Sequence, residues 1–305
     1  MPLLLRLPLL FPLVLLAFHS IRCQDSDALD AFLRRHVDRF DLPGAALTIV
    51  RGDRIVFSRT YGEELGSDRP YYIGSLSKVL TATAMLQLAD SGALQLDDPV
   101  ARWLPEIVFD GSPAEGLTVE HLLRHRSGLL RRQGFIPAPT LAELQQTPFR
   151  LTLYFPPGTR ETYSNLNYAL LGLIAERAAG RPFAEVVEEQ LFRPLDMTHS
   201  TAQKSPDAGE LAPGHQYWFG WPFPAKEGPY RATAIPAGFA ISSAEDLGRF
   251  LITQLNDGSY RGRRVIDPAA LERMTRPAGG EATGRGIGWS LGQYAGQPLW
   301  QHSGA

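Results

Sequence analysis

The strongest constraint on the fold of this chain is the apolar run from Val79 to Ala89, which contains no charged residue. A helix that is apolar on nearly all of its faces has to be covered by other structure, so we predict a buried helix here. Ser91-Gly92 supplies the signal that ends it. Ser75 and Lys78 precede the run, and side chains three residues apart lie on one face of a helix. These two polar side chains are therefore predicted to meet at the mouth of the buried helix.

Lys78 is informative because the chain has only three lysines among its 30 basic residues. Arginine stays protonated, whereas a buried lysine can lose its proton and act as a base. Ser75 and Lys78 could therefore form an activated serine. The stretch alone also fits a structural interpretation, in which Ser75 caps the helix and Lys78 extends its ammonium group to solvent.

The composition is that of an ordinary soluble globular protein. The chain has 305 residues, enough for a large core, with 44% hydrophobic and 20% charged residues. The net charge of −2 gives no attraction to nucleic acid or to an anionic membrane, so no nucleic-acid partner is predicted. Cys23 is the only cysteine, which excludes a disulfide or a thiolate site in the rest of the chain.

Residues 1–23 resemble a signal peptide, with Arg6 as the charged region and Leu7 to Phe18 as the apolar region. We therefore expect an exported protein, periplasmic or extracellular. Ser20-Ile21-Arg22 is a poor cleavage site, so an uncleaved membrane anchor is the alternative, although the apolar run is short for a span. A membrane association is expected only in that case.

The rest of the chain, residues 24–305, predicts a sheet region and a mostly helical region. An amphipathic helix from Asp25 to Phe40 precedes a hairpin formed by Ala45–Val50 and Ile55–Tyr61. Further elements are predicted from caps and periodicity: helices at Asp97–Trp103, Val119–His125, Asn165–Ala179, Pro182–Leu191, Ser243–Asn256 and from Asp267, and strands at Gly288–Tyr294 and Pro298–His302. Residues 24–74 and 237–305 would form the sheet part, and residues 75–236 the mostly helical part.

An irregular, aromatic-rich stretch is predicted from Ala202 to Pro236. It could pack on the body of the protein or form an apolar wall of a ligand cleft.

Two later motifs favour the catalytic interpretation of Ser75 and Lys78 over the structural one. Tyr163-Ser164-Asn165 precedes an apolar helix, and His302-Ser303-Gly304 ends the last predicted strand. Each motif alone is common, but their order and spacing after Ser75 and Lys78 resemble the serine β-lactamase and penicillin-binding-protein superfamily. The closest likeness is to its class C, D,D-peptidase and esterase branch. The neighbouring segments match as well, among them Tyr72–Lys78, Gly92–Val100, Leu117–Leu129, Phe155–Gly158 and Pro236–Leu247, so that the resemblance extends from Asp25 to Ala305.

The resemblance implies a catalytic trio. Ser75 would be the acylated nucleophile, and Lys78 and Tyr163 would share the role of base, since a serine hydroxyl is a poor nucleophile until a neighbour accepts its proton. A phenol with a usual pKa of about 10 is a weak base unless nearby cations favour its anion. Whether Lys78 or Tyr163 accepts the proton stays open at this point.

The resemblance also implies residues that bind and orient the substrate. Asn165 would orient Lys78 and the substrate amide. His302 would take the place of the family's cationic residue beside Tyr163, and Gly304 would help to bind the substrate. The backbone N–H groups of Ser75 and Ala305 would form the oxyanion hole. His302 departs from the lysine typical of true β-lactamases, and a histidine can be neutral near pH 7, which lowers the expectation of efficient antibiotic hydrolysis.

No metal and no cofactor are predicted. His121 and His125 lie four residues apart on a predicted helix and could chelate a metal, but the sequence lacks a His-Glu-x-x-His pattern. A Gly-x-Ser-x-Gly elbow is missing as well, which argues against an α/β-hydrolase.

The predicted fold class is α/β (α+β): an antiparallel sheet flanked by helices, next to a mostly helical subdomain, as in β-lactamases and transpeptidases. In that family two more strands and a final helix follow the His-x-Gly strand, so we expect this chain to be truncated at its C-terminus. The expected function is hydrolysis of a D,D-peptide, amide, ester or β-lactam through a Ser75 acyl-enzyme, with a small-molecule or peptide substrate that could be a cell-wall peptide. The alternatives are an inactive member that binds peptidoglycan or a partner, and a membrane-anchored scaffold.

Overall fold

The computed structural model describes residues 23–62, 69–112, 114–131, 133, 136, 141–146, 149–203, 211–212, 214–218, 221–224, 232–278 and 283–304. Most of the predicted export segment and the predicted oxyanion-hole residue Ala305 lie outside these residues. None of the helices in the described ranges is long and apolar enough to cross a lipid bilayer.

The described elements are numbered in chain order. The helices are α1 Cys23–Arg39, α2 Ser77–Asp90, α3 Val100–Trp103, α4 Val119–Leu123, α5 Leu141–Gln146, α6 Asn165–Ala179, α7 Phe183–Val187, α8 Ile235–Gly238, α9 Ala244–Leu255 and α10 Pro268–Thr275. The strands are β1 Gly44–Arg51, β2 Arg54–Gly62, β3 Tyr71–Tyr72, β4 Ile107–Gly111, β5 Phe149–Leu153, β6 His215–Trp218, β7 Trp221–Pro224, β8 Ile241–Ser242, β9 Ser259–Tyr260, β10 Arg263–Arg264, β11 Gly284–Arg285, β12 Ser290–Tyr294 and β13 Gln297–Gln301.

Helix boundaries follow the caps that the sequence predicts. The Thr118 side chain accepts a hydrogen bond from the backbone of His121 at the start of α4, and Ser243 does the same for Asp246 at the start of α9. Helix α6 ends at Gly180, whose φ of 66° is left-handed, a conformation that favours glycine. The predicted bounds of α6 are confirmed.

Helix α2 is the buried helix that the apolar run predicts. Most of its side chains are buried, with Ala82, Ala84 and Met85 at 0% exposure. It packs against α6, α8 and α10. These contacts surround the helix with apolar side chains, and burial of that surface is the main stabilising term for the fold.

Two antiparallel units form the sheet part of the molecule. Strands β1 and β2 pair from Gly44 opposite Gly62 to Arg51 opposite Arg54, as the hairpin prediction requires, with a register shift at Ile49 and Val50. Helix α1 contacts β2, and α9 contacts both strands. Strands β11, β12 and β13 form a separate three-stranded sheet among the described residues, and His302 directly follows β13.

Two pairings correct the sequence-based interpretation, and a third lies within the predicted sheet part. Strands β4 and β5 pair in parallel, although that region is predicted to be helical with loops. Strands β6 and β7 form a hairpin inside the stretch predicted to be irregular. Strands β3 and β8 pair through two residues each. The pairings of β4 with β5 and of β3 with β8 join segments that are distant in the chain, so they leave no strong local pattern. Strands β6 and β7 are neighbours in the chain, but each is only four residues long.

Gly172 in α6 gives a test of this packing. A Cβ at this position would lie 2.2 Å from Cγ of Pro236, so the helix and the proline ring need a glycine to approach each other. In an exposed helix, alanine would be favoured over glycine by about 1 kcal/mol. Overpacking here costs about 1–3 kcal/mol and should outweigh that gain. We expect Gly172→Ala to lower the melting temperature by a few degrees in a thermal denaturation experiment.

The matched control is Gly292→Ala in β12, where a Cβ would have no neighbouring heavy atom within 4 Å. This variant should melt within about one degree of the parent, since it fills open space. A Gly172→Ala protein that melts at or above the parent temperature would contradict the packing argument.

Candidate active site

Ser75 lies in a short 3₁₀ turn, Gly74–Leu76, that leads directly into α2. Gly74 has a φ of 53°, a left-handed conformation that favours glycine. The buried Ser77 hydroxyl donates to the Gly74 carbonyl at 2.7 Å and accepts from the backbone of Ala240 at 3.0 Å. The backbone at Ala240, which is distant in the chain, therefore holds the turn that contains Ser75 in place.

Lys78 is completely buried and contacts the serine. Its Nζ lies 3.0 Å from Oγ of Ser75, and it also donates a hydrogen bond to the carbonyl oxygen of Ala237 in α8. Burial lowers the pKa of Lys78 from 10.5 to about 7, and the positive charges of Arg285 and Arg131 act in the same direction. A large fraction of Lys78 is thus neutral at pH 7 and able to accept a proton.

Tyr163 also contacts the hydroxyl of Ser75. Its hydroxyl donates to Oγ of Ser75 at 2.7 Å. Burial raises the pKa of Tyr163, while the hydrogen bond to Ser75 and the charges of Arg285 and Arg131 lower it in part. The net shift is upward, so the phenol keeps its proton at neutral pH and is a hydrogen-bond donor to the serine.

Three basic side chains surround the phenol ring. Lys78 Nζ lies 4.9 Å from the ring centroid, and the guanidinium carbons of Arg285 and Arg131 lie 5.5 Å and 5.8 Å from it. The Arg285 guanidinium also pairs with the Glu161 carboxylate, Nε to Oε1 at 2.8 Å. Sequence reasoning missed both arginines, because neither belongs to one of the three motifs and only the fold brings them to Tyr163.

Asn165 does not make the contact with Lys78 that the resemblance implies. Its Oδ1 is buried and has no hydrogen-bond partner among the described residues, and the carbonyl of Ala237 holds the lysine instead. This carbonyl lies 159 residues from Lys78 in the chain, which is why the motif could not reveal it. A role of Asn165 in binding the substrate amide stays a prediction.

The motif His302-Ser303-Gly304, which follows β13, lies beside the Gly74–Leu76 turn that contains Ser75. A Cβ on Gly304 would be 2.2 Å from the carbonyl oxygen of Ile73, so the glycine permits close backbone approach to the start of the turn. His302 contacts the carbonyl of Ser303 through Nδ1 at 2.8 Å. Burial lowers the pKa of His302, which the carbonyl contact only partly offsets, so the imidazole is neutral at pH 7. The roles assigned to His302, Gly304 and Ala305 stay predictions.

The two histidines considered as metal ligands have different partners. Nδ1 of His121 contacts the Thr118 hydroxyl at 3.1 Å, whereas Nδ1 of His125 accepts from the backbone of Ser164 at 3.2 Å. Within the described ranges no group of three or more His, Cys, Asp or Glu side chains could hold a metal ion.

A serine hydroxyl in contact with a buried lysine and a tyrosine is the kind of arrangement that serine hydrolases use to activate a hydroxyl. The chain belongs to the β-lactamase family, whose model matches residues 29–305. Members of this family are serine hydrolases.

Three relatives illustrate the range of the family. Penicillin-binding protein 4 of Amycolatopsis lactamdurans is 32% identical in an alignment 307 residues long, which covers 88% of this chain and 78% of the relative. Protein flp of Staphylococcus aureus strain MW2 is 26% identical over 242 residues, 75% of this chain, and the matched part spans 48% of that protein. The solved D-amino acid amidase of Ochrobactrum anthropi SV3 is 26% identical with a TM-score of 0.72, over 92% of this chain and 84% of the amidase.

Proposed function

We propose that this protein hydrolyses an amide, ester, D,D-peptide or β-lactam through an acyl-enzyme on Ser75. The observation that carries the proposal is the geometry at Oγ of Ser75, which is 3.0 Å from a buried amine and 2.7 Å from a phenol. Hydrogen-bond contact of a nucleophile with its base is the geometric requirement for this chemistry. The amidase and the penicillin-binding protein among the relatives support the same class of substrate.

In acylation, Lys78 is proposed to act as the base. Neutral Lys78 accepts the Ser75 proton while Oγ forms a bond to the substrate carbonyl carbon, which produces a tetrahedral oxyanion and a lysine ammonium. As the intermediate collapses, the Tyr163 hydroxyl protonates the leaving nitrogen or oxygen, and the ammonium of Lys78 returns a proton to the phenolate. The acyl group is then on Ser75, the leaving group is neutral, and both side chains are in their starting forms.

The choice of Lys78 over Tyr163 follows from the direction of the two pKa shifts. The pKa of Lys78 falls to about 7, which makes its neutral form available, whereas the pKa of Tyr163 rises. Catalysis is best served by a base whose pKa is near the working pH. In deacylation, the same pair would accept a proton from a water molecule as its oxygen attacks the ester carbon. The pair would then return that proton to Oγ of Ser75 as the ester bond breaks.

The oxyanion of the intermediate needs backbone donors. The N–H of Ser75 belongs to the first turn at the entrance of α2, where N–H groups have no intrahelical acceptor. The N–H of Ala305 is the proposed second donor. A pair of such donors typically lowers the barrier by a few kcal/mol.

The experiment that tests the proposal is covalent labelling of the full chain. A fluorophosphonate and a fluorescent penicillin should each add one label per molecule, and peptide mass spectrometry should place it on Ser75. Turnover would then be measured on p-nitrophenyl esters, D-amino acid amides, D-Ala-D-Ala peptides and a chromogenic cephalosporin. Absence of any label and of any turnover would favour the alternative, a family member that binds peptidoglycan or a partner without catalysis.

The variant Tyr163→Phe tests the role of the phenol hydroxyl as a proton donor. This variant keeps the ring and its contacts with the cations but removes the group that donates to Ser75. We expect kcat for an amide substrate to fall by about 10²- to 10⁴-fold, the usual contribution of a general acid. The loss should be smaller for a p-nitrophenyl ester, because p-nitrophenolate leaves without protonation. Equal losses on both substrates would contradict the role as general acid.

Export from the cytoplasm, and a cell-wall peptide as the natural substrate, stay proposals that rest on residues 1–23 and on the relatives. The mass of the mature protein, isolated from its native membrane and secreted fractions, would distinguish a cleaved signal from an anchor.

A further inference from the structure

His125 contacts the chain on both sides of Tyr163. Its carbonyl oxygen accepts the backbone N–H of Thr162 at 2.8 Å, and its Nδ1 accepts the backbone N–H of Ser164 at 3.2 Å. The two N–H groups that flank Tyr163 along the chain are thus held by one residue. Because the residue lies 38 positions upstream of Tyr163, this arrangement is a tertiary contact.

The imidazole ring also supports the phenol directly. Its centroid lies 4.6 Å from that of Tyr163, with an interplanar angle of 33°, and 5.1 Å from that of Tyr168. His125 is only 2% exposed, so its ring packs on the phenol from the protein interior. Contact between aromatic rings at such distances is stabilising by about 0.5–1.5 kcal/mol.

Asn167 and Ser127 determine the orientation of the imidazole. The hydroxyl of Ser127 donates to Oδ1 of Asn167 at 2.6 Å, which directs the amide nitrogen of Asn167 to Nδ1 of His125 at 2.9 Å. Nδ1 therefore accepts two hydrogen bonds, and the ring proton is on Nε2. Ser127 and Asn167 are both fully buried, so no solvent competes for these bonds.

The backbone of His125 is in an uncommon conformation. Its φ of 56° is left-handed, a region that few residues with a Cβ adopt, with asparagine, aspartate and histidine the most frequent among them. Here the conformation allows the carbonyl and the ring of the same residue to reach Thr162 and Ser164.

We propose that His125, oriented by Asn167, is a positioning residue that holds the Tyr163 hydroxyl against Oγ of Ser75. The inference rests on the proposed function, in which this hydroxyl transfers a proton. A displacement of about 1 Å in a catalytic group can cost a factor of about 10² in rate. The contacts on both neighbouring N–H groups and on the ring leave Tyr163 little freedom to move away from the serine.

The test compares His125→Gly with His125→Asn. Glycine and asparagine both tolerate a φ of 56°, so neither variant adds backbone strain. Asparagine can place an oxygen where Nδ1 lies and keeps the acceptor for Ser164, whereas glycine loses the acceptor and the ring. We expect His125→Gly to slow acylation of Ser75 by about 10- to 100-fold, with KM changed less than kcat, and His125→Asn to recover a large part of the rate.

A double-mutant cycle with Tyr163→Phe separates positioning from general destabilisation. If His125 acts through the phenol hydroxyl, His125→Gly should slow acylation by less than about 3-fold once that hydroxyl is absent. His121→Asn is the control, because His121 bonds Thr118, and it should leave the acylation rate within about 2-fold of the parent. Additive losses in the cycle, or an equal loss in His121→Asn, would overturn the proposal.

A milder variant and a structural measurement complete the design. Ser127→Ala removes a single hydroxyl, which orients Asn167 and also accepts the backbone N–H of Leu129 at 3.1 Å, so this variant is used if His125→Gly fails to fold. Its rate loss should also vanish in the Tyr163→Phe background. If the parent chain itself is never acylated, the proposed function fails. Crystal structures of the parent and of His125→Gly, or of Ser127→Ala where His125→Gly does not fold, then decide the inference, which requires a longer distance from the Tyr163 hydroxyl to Ser75 Oγ in the variant.

Discussion

Replacing Ser75 by alanine is expected to abolish covalent labelling by the phosphonate and the penicillin, and to reduce turnover by at least about 10⁴-fold. The physical reason is that Oγ is the only atom within hydrogen-bond distance of both Lys78 Nζ and the Tyr163 hydroxyl in the described part of the chain. Without it, no group in this position can form the acyl bond. Intact-mass spectrometry after exposure to each probe, and initial rates on the preferred substrate, measure the effect.

Ser77→Ala is the matched control, because Ser77 lies two residues away, at the start of α2. Its hydroxyl is buried and is occupied by the Gly74 carbonyl and the Ala240 N–H. This variant should still take up one label on Ser75, and it should lose about 1–3 kcal/mol of stability because the Ala240 N–H loses its acceptor. Labelling of Ser75→Ala at the parent rate would refute the acyl-enzyme on this residue.

Replacing Lys78 by methionine is expected to have the second largest effect, a loss of about 10³- to 10⁴-fold in the rate of Ser75 acylation. Methionine has a similar length and suits the apolar surroundings, so the loss reports the missing base and not a cavity. The side chain is fully buried in the parent, and water has little access to replace the amine. Single-turnover labelling rates over a range of probe concentrations measure the effect.

The pH dependence provides an independent readout of Lys78. The lysine has to be neutral to accept the serine proton, so acylation by the parent should rise with pH through a midpoint of about 7. Lys78→Met should lack this limb, because nothing replaces the titrating amine. A limb of the same midpoint in the variant would assign the titration to another group.

The same lowered pKa has a consequence for stability. Between pH 7 and the usual lysine pKa of 10.5, the unfolded chain binds a proton at Lys78 that the folded chain has lost, so unfolding takes up a proton. Raising the pH through this window therefore stabilises the parent relative to Lys78→Met, by up to about 1.4 kcal/mol per pH unit. Denaturant titrations of both proteins at pH 7, 8 and 9 should show the free energy of unfolding of the parent rising relative to that of Lys78→Met at each step. A constant difference would contradict the pKa assigned to Lys78.

Local features of the sequence carried much of the fold. The apolar run predicted α2, and the caps at Thr118 and Ser243 predicted the starts of α4 and α9. These elements depend on residues within about four positions of each other, so periodicity and capping chemistry reveal them directly. The parallel pairing of β4 with β5 joins segments 42 residues apart, from Ile107 to Phe149, and left no comparable local signal.

In the candidate site, too, some residues could be predicted from the sequence and others only from the tertiary structure. The spacing of Ser75 and Lys78 predicted that the two side chains meet, and the resemblance to the β-lactamase and penicillin-binding-protein superfamily added Tyr163, so the three residues that meet could be named before the structure was known. Only the tertiary structure brought the Ala237 carbonyl to Lys78, the guanidinium groups of Arg285 and Arg131 to the phenol, and His125 behind it. The reason is that neighbours along one helix turn are set by its fixed geometry, whereas contacts between residues far apart in the chain depend on how separate elements pack, which no spacing in the chain encodes.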